Sequence, residues 1–217
     1  MLRLKGGDPL VFGRGGEECD ELRAAGVAVD VTPGITAAAG IAADLGVPLT
    51  QRGVATSVRF LTGHAREGGE DPAEALRCAA AAGADAHTTL VVYMGLATLP
   101  ALSAALLSAG LDARTPALAV ENGTTAGQRR VFARLAGLAG ATRDAALVSP
   151  TLVLIGRVVA LSPLWPWRDG ADAGADTDWR LQTGPASDDA SDALTGDVPR
   201  VVTLPSGHSL ALPRRRG

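Results

Sequence analysis

The chain has 217 residues, a length that fits one large domain or two small ones. Its net charge of −3 argues against the strongly basic proteins that bind nucleic acids or membrane surfaces, and no apolar run reaches the roughly 18 residues of a transmembrane helix. We therefore expect a soluble, cytoplasmic protein with neither a nucleic-acid nor a membrane partner.

The composition also limits the core and the possible metal chemistry. Hydrophobic residues make up 47% of the chain but aromatic residues only 3%, so alanine, valine and leucine must form most of the core. Cys19 and Cys78 lie far apart and lack the CxxC spacing of zinc sites and redox motifs. We expect both cysteines to be small core residues, and we expect no metal.

The first fifty residues alternate between strand-like and helical patterns. Residues 2–4 resemble the end of a strand and residues 17–25 have helical periodicity. Alternating valines predict a short strand over 27–31, and an alanine-rich helix follows over 36–45, with Thr36 as its predicted cap. The order strand, helix, strand, helix predicts parallel strands whose glycine-rich loops lie at one edge of a sheet.

Residues 51–167 continue the α/β pattern, after a lapse in periodicity near Gly53 that suggests a crossing between domains. The predicted strands cover 57–62, 88–94, 117–120 and 151–155, and the predicted helices cover 71–82 and 98–109. Residues 129–135 alternate, and residues 136–141 fit no single element.

Beyond Trp167 the composition changes to Asp, Ala, Gly, Ser and Thr, with almost no apolar periodicity. Such a segment buries too little apolar surface to offset the entropy lost on ordering, so we predict a disordered tail over 168–217. The predicted organisation is an N-terminal α/β domain over 1–50, a C-terminal α/β domain over 51–167, and this tail.

Three glycine-rich turns follow predicted strands, at residues 6–8, 33–37 and 121–124. Such turns offer backbone N–H and C=O groups to a nucleoside-like ligand, and the N-termini of the helices after the first two favour an anionic portion. The turns match neither the GxGxxG fingerprint nor the P-loop. Each turn is weak evidence alone, because glycine is common after strands, but their repetition favours a shared ligand.

Basic side chains lie in or beside these loops and the domain crossing: Arg14, Arg52, Arg59, His64 and Arg66. Arginines concentrated in an acidic chain suit a substrate with several carboxylates or phosphates, which guanidinium groups bind through two hydrogen bonds. The alternative is a solvated basic face, which we favour for Arg66 but not for Arg14. His64 fits a general base or a simple hydrogen-bonding residue.

Eight motifs occur in the same order as in one enzyme family. They are GGDP at 6–9, FGRGGEE at 12–18, PGITA at 33–37, GVPLT at 46–50, TGH at 62–64, YMG at 93–95, ENGT at 121–124 and GRVV at 156–159. Over residues 2–167 the chain resembles the uroporphyrinogen-III C-methyltransferases of the tetrapyrrole methylase family.

The resemblance implies two α/β domains that hold S-adenosylmethionine in the cleft between them, usually in a homodimer. The implied cofactor contacts are Gly6, Gly7, Asp8, Val11, Thr36, Ala37, Met94 and Gly123. Arg59 matches a family arginine linked to activity, and Arg14, Arg52 and His64 are the implied substrate contacts. The implied reaction methylates two pyrrole carbons of uroporphyrinogen III to give precorrin-2, for sirohaem or cobalamin, without a metal.

The chain departs from the family at its start. Family members have an upstream strand, a GxGPGD-like loop and an Asp and a Lys assigned to proton handling, and this sequence has none of them. We expect a first domain that is incomplete and a chain that is an N-terminally truncated, weakly active or inactive form. The alternatives are a cofactor-binding remnant that pairs with a full-length methylase, and a methylase of a later corrin intermediate, which the FGRGGEE motif disfavours.

Overall fold

A computed structural model describes residues 1–63, 78, 80–167, 179–184, 201–203 and 209–211. The helices are α1 (Gly15–Ala24), α2 (Ala37–Asp44), α3 (Leu99–Ser108) and α4 (Leu135–Asp144), with a 3₁₀ turn over Arg157–Leu161. The strands are β1 (Ser57–Thr62), β2 (Thr88–Tyr93), β3 (Pro116–Glu121), β4 (Arg129–Arg134), β5 (Thr151–Ile155) and β6 (Trp179–Thr183), with a hairpin of β7 (Val201–Thr203) and β8 (Ser209–Ala211). No helix among the described residues is long and apolar enough to cross a membrane.

The centre of the fold is a six-stranded sheet in the order β1-β2-β5-β3-β4-β6. Only β1 and β2 pair in parallel, and the other neighbours are antiparallel. As a result β1, β2 and β3 all end at one edge, which we call the Tyr93 edge. The opposite edge, where β4 and β5 end, we call the Arg134 edge.

Helices cover both faces of the sheet, as expected for an α/β protein. On one face, α3 and α4 pack on alternate residues of the central strands, for example Leu102 and Leu138 with Val131. On the other face, Ile41 of α2 packs with Leu118 and its neighbours. Each fully buried leucine contributes about 1.5–3 kcal/mol to folding, so burial on two faces explains the continuous apolar runs of β2, β3 and β5.

The two strands predicted within the first fifty residues are not formed. Residues 2–4 and 27–31 have no strand assignment, and the side chains of Val27 and Val31 are 48% and 37% exposed. A strand requires a neighbour for its backbone hydrogen bonds, and no described strand lies beside either segment. Alternating valines alone are therefore not sufficient to form a strand in this segment. Helices α1 and α2 are confirmed, each beginning or ending within two residues of its predicted bound.

The ambiguous residues 136–141 belong to helix α4. The helix predicted over 71–82 lies mostly outside the described residues, although 80–83 are helical. The prediction for Cys78 is wrong, since this cysteine is exposed whereas Cys19 is buried. Two residues along a helix turn the side chain by about 200°, and Ala80 already faces the core, so Cys78 points outward.

Strand β6 lies in the segment predicted as a tail, and it extends the sheet beside β4. The side chain of Arg130 on β4 is fully buried and holds β6 by two hydrogen bonds. Its Nε donates to Gln182 Oε1 at 2.8 Å, and its Nη1 donates to the Gly184 carbonyl at 2.7 Å. Burial lowers the pKa of Arg130, and the nearby Asp44 carboxylate opposes this shift. Residues 168–178, 185–200, 204–208 and 212–217 of the predicted tail lie outside the described structure.

Replacing Gln182 by alanine should lower the free energy of unfolding by about 1–3 kcal/mol, because it leaves the buried Arg130 Nε–H without this acceptor. Urea denaturation would measure the change. Thr183→Ala on the same strand, at an exposed position, is the matched control and should change stability by less than about 0.5 kcal/mol. Equal effects of the two substitutions would contradict the proposed contribution of the Gln182 hydrogen bond.

Candidate functional site

The hydroxyl of Tyr93 joins the sheet to the N-terminus of helix α2. Tyr93 Oη lies 2.5 Å from Thr36 Oγ1 and accepts a hydrogen bond from the Ala38 amide at 3.1 Å. Thr36 occupies the N-cap position of α2, as predicted, but its side chain bonds Tyr93 and makes no cap hydrogen bond to its own helix. The first turn of a helix has unpaired N–H groups, and here the end of β2 supplies an acceptor for one of them.

The ring of Tyr93 also contacts two aromatic residues from different parts of the chain. Its centroid lies 4.9 Å from that of Phe12, in the first glycine-rich loop, and 5.9 Å from that of Phe60, on β1. Aromatic pairs at such distances contribute about 0.5–1.5 kcal/mol beyond the area they bury. Tyr93 therefore links the first loop, the second loop and the first two strands.

The carboxylate of Asp8 fastens the first glycine-rich turn to the second. Oδ1 accepts the Leu10 amide at 2.8 Å, and Oδ2 accepts the Gly34 amide at 3.0 Å. These hydrogen bonds lower the pKa of Asp8 below its ordinary value of 3.8, and the bond from the Gly34 amide has the largest effect. A Cβ on Gly34 would lie 2.1 Å from the Gly7 carbonyl oxygen, so the close approach of the two turns requires glycine at that position.

The third glycine-rich turn packs against the other end of α2. A Cβ on Gly123 would lie 2.4 Å from Ile41, so only a glycine permits this contact. Gln128 Nε2 donates to Asp44 Oδ2 at 3.0 Å, and Gln128 Oε1 accepts the Thr124 amide at 2.7 Å. Helix α2 thus lies between the second turn and the third and holds them at the Tyr93 edge.

Met94 follows Tyr93 directly, with a left-handed backbone (φ 51°) and a side chain 47% exposed. Beside it, the ends of β1 and β2 approach so closely that a Cβ on Gly63 would lie 2.4 Å from Gly95 Cα. Thr36 and Met94 therefore lie beside Tyr93, and Gly7 and Asp8 lie against the second turn, which leads into Thr36. Of the other predicted cofactor residues, Gly6 and Val11 lie in the first loop, and Ala37 begins α2. Gly123 lies in the third turn, which packs against Ile41 of α2.

The predicted basic residues that the structure describes, Arg14, Arg52 and Arg59, are all exposed. Arg14 has an 81% exposed side chain near Glu17 at 3.7 Å, and Arg52 is also exposed. Arg59 is exposed on β1 in register with Leu90, so it lies on the opposite face of the sheet from Phe60 and the Tyr93 ring. His64 lies outside the described residues.

Sequence reasoning missed three residues that build this site: Tyr93, Gln128 and Asp44. The sequence does contain a signal for Tyr93, which is the single tyrosine of the chain and ends a buried strand. A buried tyrosine hydroxyl needs a polar partner, which implies a contact at the strand end. No comparable pattern marks Gln128 or Asp44. Among the described residues, no group of three His, Cys, Asp or Glu side chains could hold a metal ion.

A family model described as "Tetrapyrrole (Corrin/Porphyrin) Methylases" matches residues 1–139. The chain is 64% identical over 166 residues to the S-adenosyl-L-methionine-dependent uroporphyrinogen III methyltransferase, chloroplastic, of Arabidopsis thaliana, covering 76% of this chain and 44% of that protein. It is 49% identical over 174 residues to a siroheme synthase of Stutzerimonas stutzeri, covering 80% of this chain and 36% of that protein. The chain thus spans less than half the length of these curated relatives.

The chain is also similar to solved structures of methyltransferases. The native uroporphyrin III C-methyl transferase of Thermus thermophilus superposes with a TM-score of 0.61 at 40% identity, covering 74% of this chain and 65% of that one. The same enzyme complexed with S-adenyl homocysteine gives a TM-score of 0.59 and covers 74% and 67%. A cobalt precorrin-4 methyltransferase, at 22% identity and a TM-score of 0.62, shares the fold.

The matched family model covers more than half of the chain, and the resemblance stated from the sequence motifs is confirmed. This chain belongs to the tetrapyrrole (corrin/porphyrin) methylase family.

Proposed function

We propose that the chain is part of an S-adenosylmethionine-dependent C-methyltransferase that converts uroporphyrinogen III to precorrin-2. The observation that carries the proposal is the convergence of glycine-rich turns on Tyr93 and α2, in a chain 64% identical to a uroporphyrinogen III methyltransferase. Precorrin-2 is a precursor of both sirohaem and cobalamin, and the siroheme synthases among the relatives favour the sirohaem branch.

The residues around Tyr93 fit the proposed cofactor. Apart from its two chain neighbours, no described residue places a heavy atom within 4 Å of the position that a Cβ would take on Gly6, so this backbone is open to a ligand. The half-exposed Met94 offers an apolar surface at the same edge. When bound, S-adenosylmethionine supplies the electrophilic methyl group, while Gly6, Gly7, Asp8, Val11, Thr36, Ala37, Met94 and Gly123 hold and orient the cofactor.

The substrate residues act through charge. Arg14 and Arg52 are exposed arginines available for the substrate carboxylates, and guanidinium groups bind carboxylates in a fixed orientation. Such anchoring raises the rate by aligning the pyrrole carbon with the methyl group. Arg59, in a catalytic role, and His64 are further proposed contacts of the substrate. Because Arg59 lies on the face of β1 opposite Phe60, the substrate must reach past this outermost strand to contact it.

The proposal includes a homodimer in the cytoplasm. Large apolar side chains are exposed around the Tyr93 edge, with Leu10 at 61%, Ile35 at 74% and Met94 at 47%. Such a surface is typical of an interface that a second copy or another part of the polypeptide covers. The Arabidopsis relative is named as chloroplastic, so the compartment needs its own measurement by cell fractionation.

A second candidate function is cofactor binding without turnover, as a partner of a complete methylase. The observation in its favour is that residues 1–50 contain two helices but no strand, whereas the α/β pattern of this segment predicts two strands. Titrating S-adenosylmethionine into the purified chain and then assaying precorrin-2 formation separates the two functions. Binding with turnover supports the methyltransferase, binding without turnover supports the second candidate, and no binding contradicts both.

Asp8→Asn should weaken S-adenosylmethionine binding about tenfold, because the neutral amide holds the Gly34 amide less well than a carboxylate does. Calorimetric titration would measure the change, with Asp20→Asn on the exposed face of α1 as the control. The carboxylate of Asp8 stabilises the folded state fully above its ordinary pKa of 3.8, and this contribution declines as the pH falls through its lower folded-state pKa. Unchanged binding by Asp8→Asn would remove Asp8 from the cofactor site.

Tyr93→Phe should loosen the first turn of α2, because it keeps the ring contacts but removes the acceptor for the Ala38 amide. We expect hydrogen exchange at Ala38 to rise at least about fivefold, which corresponds to the lower end of the roughly 1–3 kcal/mol cost of losing such a partner. Amides of α3 serve as the internal control. A protection factor at Ala38 equal to that of the unmodified chain would contradict the role of the Tyr93 hydroxyl.

Arg14→Gln and Arg52→Gln should each raise the KM for uroporphyrinogen III about tenfold while leaving the Kd for S-adenosylmethionine unchanged, because each loses one charged hydrogen-bonding partner. Arg143→Gln is the control, since Arg143 is an exposed arginine on α4 that the proposal does not use. If the chain turns over and all three variants behave alike, the two arginines do not bind the substrate.

A further inference from the structure

The third glycine-rich turn has a backbone conformation that most side chains disfavour. Asn122 has a φ of 49° and Thr124 a φ of 65°, both in the left-handed region. This region is uncommon for residues other than glycine, and it is strained for a β-branched residue such as threonine. The side chain of Thr124 is exposed, so the turn keeps this shape at the surface. Strained backbone persists only where surrounding contacts hold it, and it is frequent at ligand sites.

A buried side chain holds this turn from behind. Gln128 is 1% exposed, and its Oε1 accepts the Thr124 amide at 2.7 Å. Its Nε2 donates to Oδ2 of Asp44, the last residue of helix α2, at 3.0 Å. Glutamine suits this position because its side chain carries an acceptor and a donor on neighbouring atoms. The turn is therefore tied to α2 through the amide group of Gln128.

Asp44 lies at the end of α2 where a carboxylate is electrostatically unfavourable. The C-terminus of a helix carries a partial negative charge, so cations stabilise it and anions do not. Asp44 is exposed, so burial in the core does not explain its place either. Its favourable contacts are with later parts of the chain, namely the Gln128 amide and the positive charge of Arg130. The carboxylate thus contributes by joining segments and not by stabilising its own helix.

Helix α2 fixes the third turn at a second point and the second turn at its other end. A Cβ on Gly123 would lie 2.4 Å from Ile41, so the turn packs directly on the helix. At the start of the helix, the Ala38 amide donates to the Tyr93 hydroxyl. The helix has eight residues and so spans about 12 Å at about 1.5 Å per residue. One rigid helix therefore sets the distance between the two turns.

We propose that Gln128 is a positioning residue for the cofactor, because it holds the third turn in the shape in which Gly123 contacts S-adenosylmethionine. The inference rests on the proposed function, in which Gly123 is a cofactor contact. Since Gln128 is buried, it acts through the backbone of the turn, at the Thr124 amide, and not by touching the cofactor. A turn that already has its bound shape avoids the cost of becoming ordered on binding.

The first experiment measures the Kd of S-adenosylmethionine by calorimetric titration of the purified full chain. Asp44→Ala removes the acceptor of the Gln128 amide and should weaken binding at least about fivefold. Asp44→Asn removes the same charge, but its amide oxygen still accepts from Gln128, so the Kd should stay within about twofold of that of the unmodified chain. The pair separates the hydrogen bond from the charge that Asp44 presents to Arg130.

The second experiment exchanges donor and acceptor. Gln128→Glu keeps an acceptor for the Thr124 amide but places a second carboxylate against Asp44, so it should weaken binding at least about tenfold. Adding Asp44→Asn to this variant should return the Kd to within about threefold of the original, because the new amide donates to the new carboxylate. Ala126→Glu adds the same charge at an exposed neighbouring position, and should leave the Kd within about twofold.

Further measurements distinguish positioning from stability. Circular dichroism and thermal unfolding show whether each variant is folded at the titration temperature, and a purely structural role would lower the unfolding temperature without changing the Kd. In the cofactor-free chain, hydrogen exchange at the Thr124 amide should rise at least about threefold in Asp44→Ala but not in Asp44→Asn. If Gln128→Glu does not fold, the two variants of the exposed Asp44 still decide.

Several results would overturn the positioning role while leaving the proposed function intact, provided that the unmodified chain binds the cofactor. They are an unchanged Kd in Asp44→Ala, an equal loss of affinity in Asp44→Asn or Ala126→Glu, and no recovery when Gln128→Glu is combined with Asp44→Asn. Absence of S-adenosylmethionine binding by the unmodified chain would instead overturn the proposed function, and this inference with it.

Discussion

The hydroxyl group of Tyr93 is the contact on which the arrangement of the first fifty residues depends. It accepts the Ala38 amide and hydrogen-bonds Thr36, so the N-terminus of α2 is held at the end of β2. From that point the other contacts follow along the helix, with Ile41 against the third turn and Asp44 hydrogen-bonded to Gln128. Asp8 then joins the first turn to the second through the Gly34 amide. One tyrosine at a strand end thus determines where three distant loops meet.

The central strands could be predicted from the sequence because burial on both faces leaves a continuous apolar run. Strands β2, β3 and β5 have this pattern, and each was expected within a few residues of its observed bounds. Strand β6 could not be predicted in the same way, because it is short and half-exposed and depends on Arg130, a charged residue about fifty positions earlier. The valines at 27–31 show the reverse case, in which a strand pattern has no neighbouring strand to pair with.

The part of the candidate site that could be predicted is the part where two backbone segments approach closely, because such positions require glycine. Gly34 and Gly123 lie where any side chain would collide with a neighbouring segment, and the sequence motifs include both. The polar contact between Gln128 and Asp44 was not predictable, because these residues lie 84 positions apart and no local pattern marks them, whereas Tyr93 is marked as the single tyrosine at the end of a buried strand. The position of Arg59 also required the structure, since strand register alone decides which face of the sheet it occupies.

Helix α2 joins the sheet through contacts between residues that are distant along the chain: Ala38 with Tyr93, 55 positions apart, and Asp44 with Gln128, 84 positions apart. Closing loops of that length costs chain entropy, which nearby contacts alone do not offset. The acceptors on Tyr93 and Gln128 take up their positions only when β2 and the segment before β4 are in the sheet. We therefore expect the later part of the chain to assemble first and to serve as the template on which the earlier part settles, so that the glycine-rich start acquires its shape last.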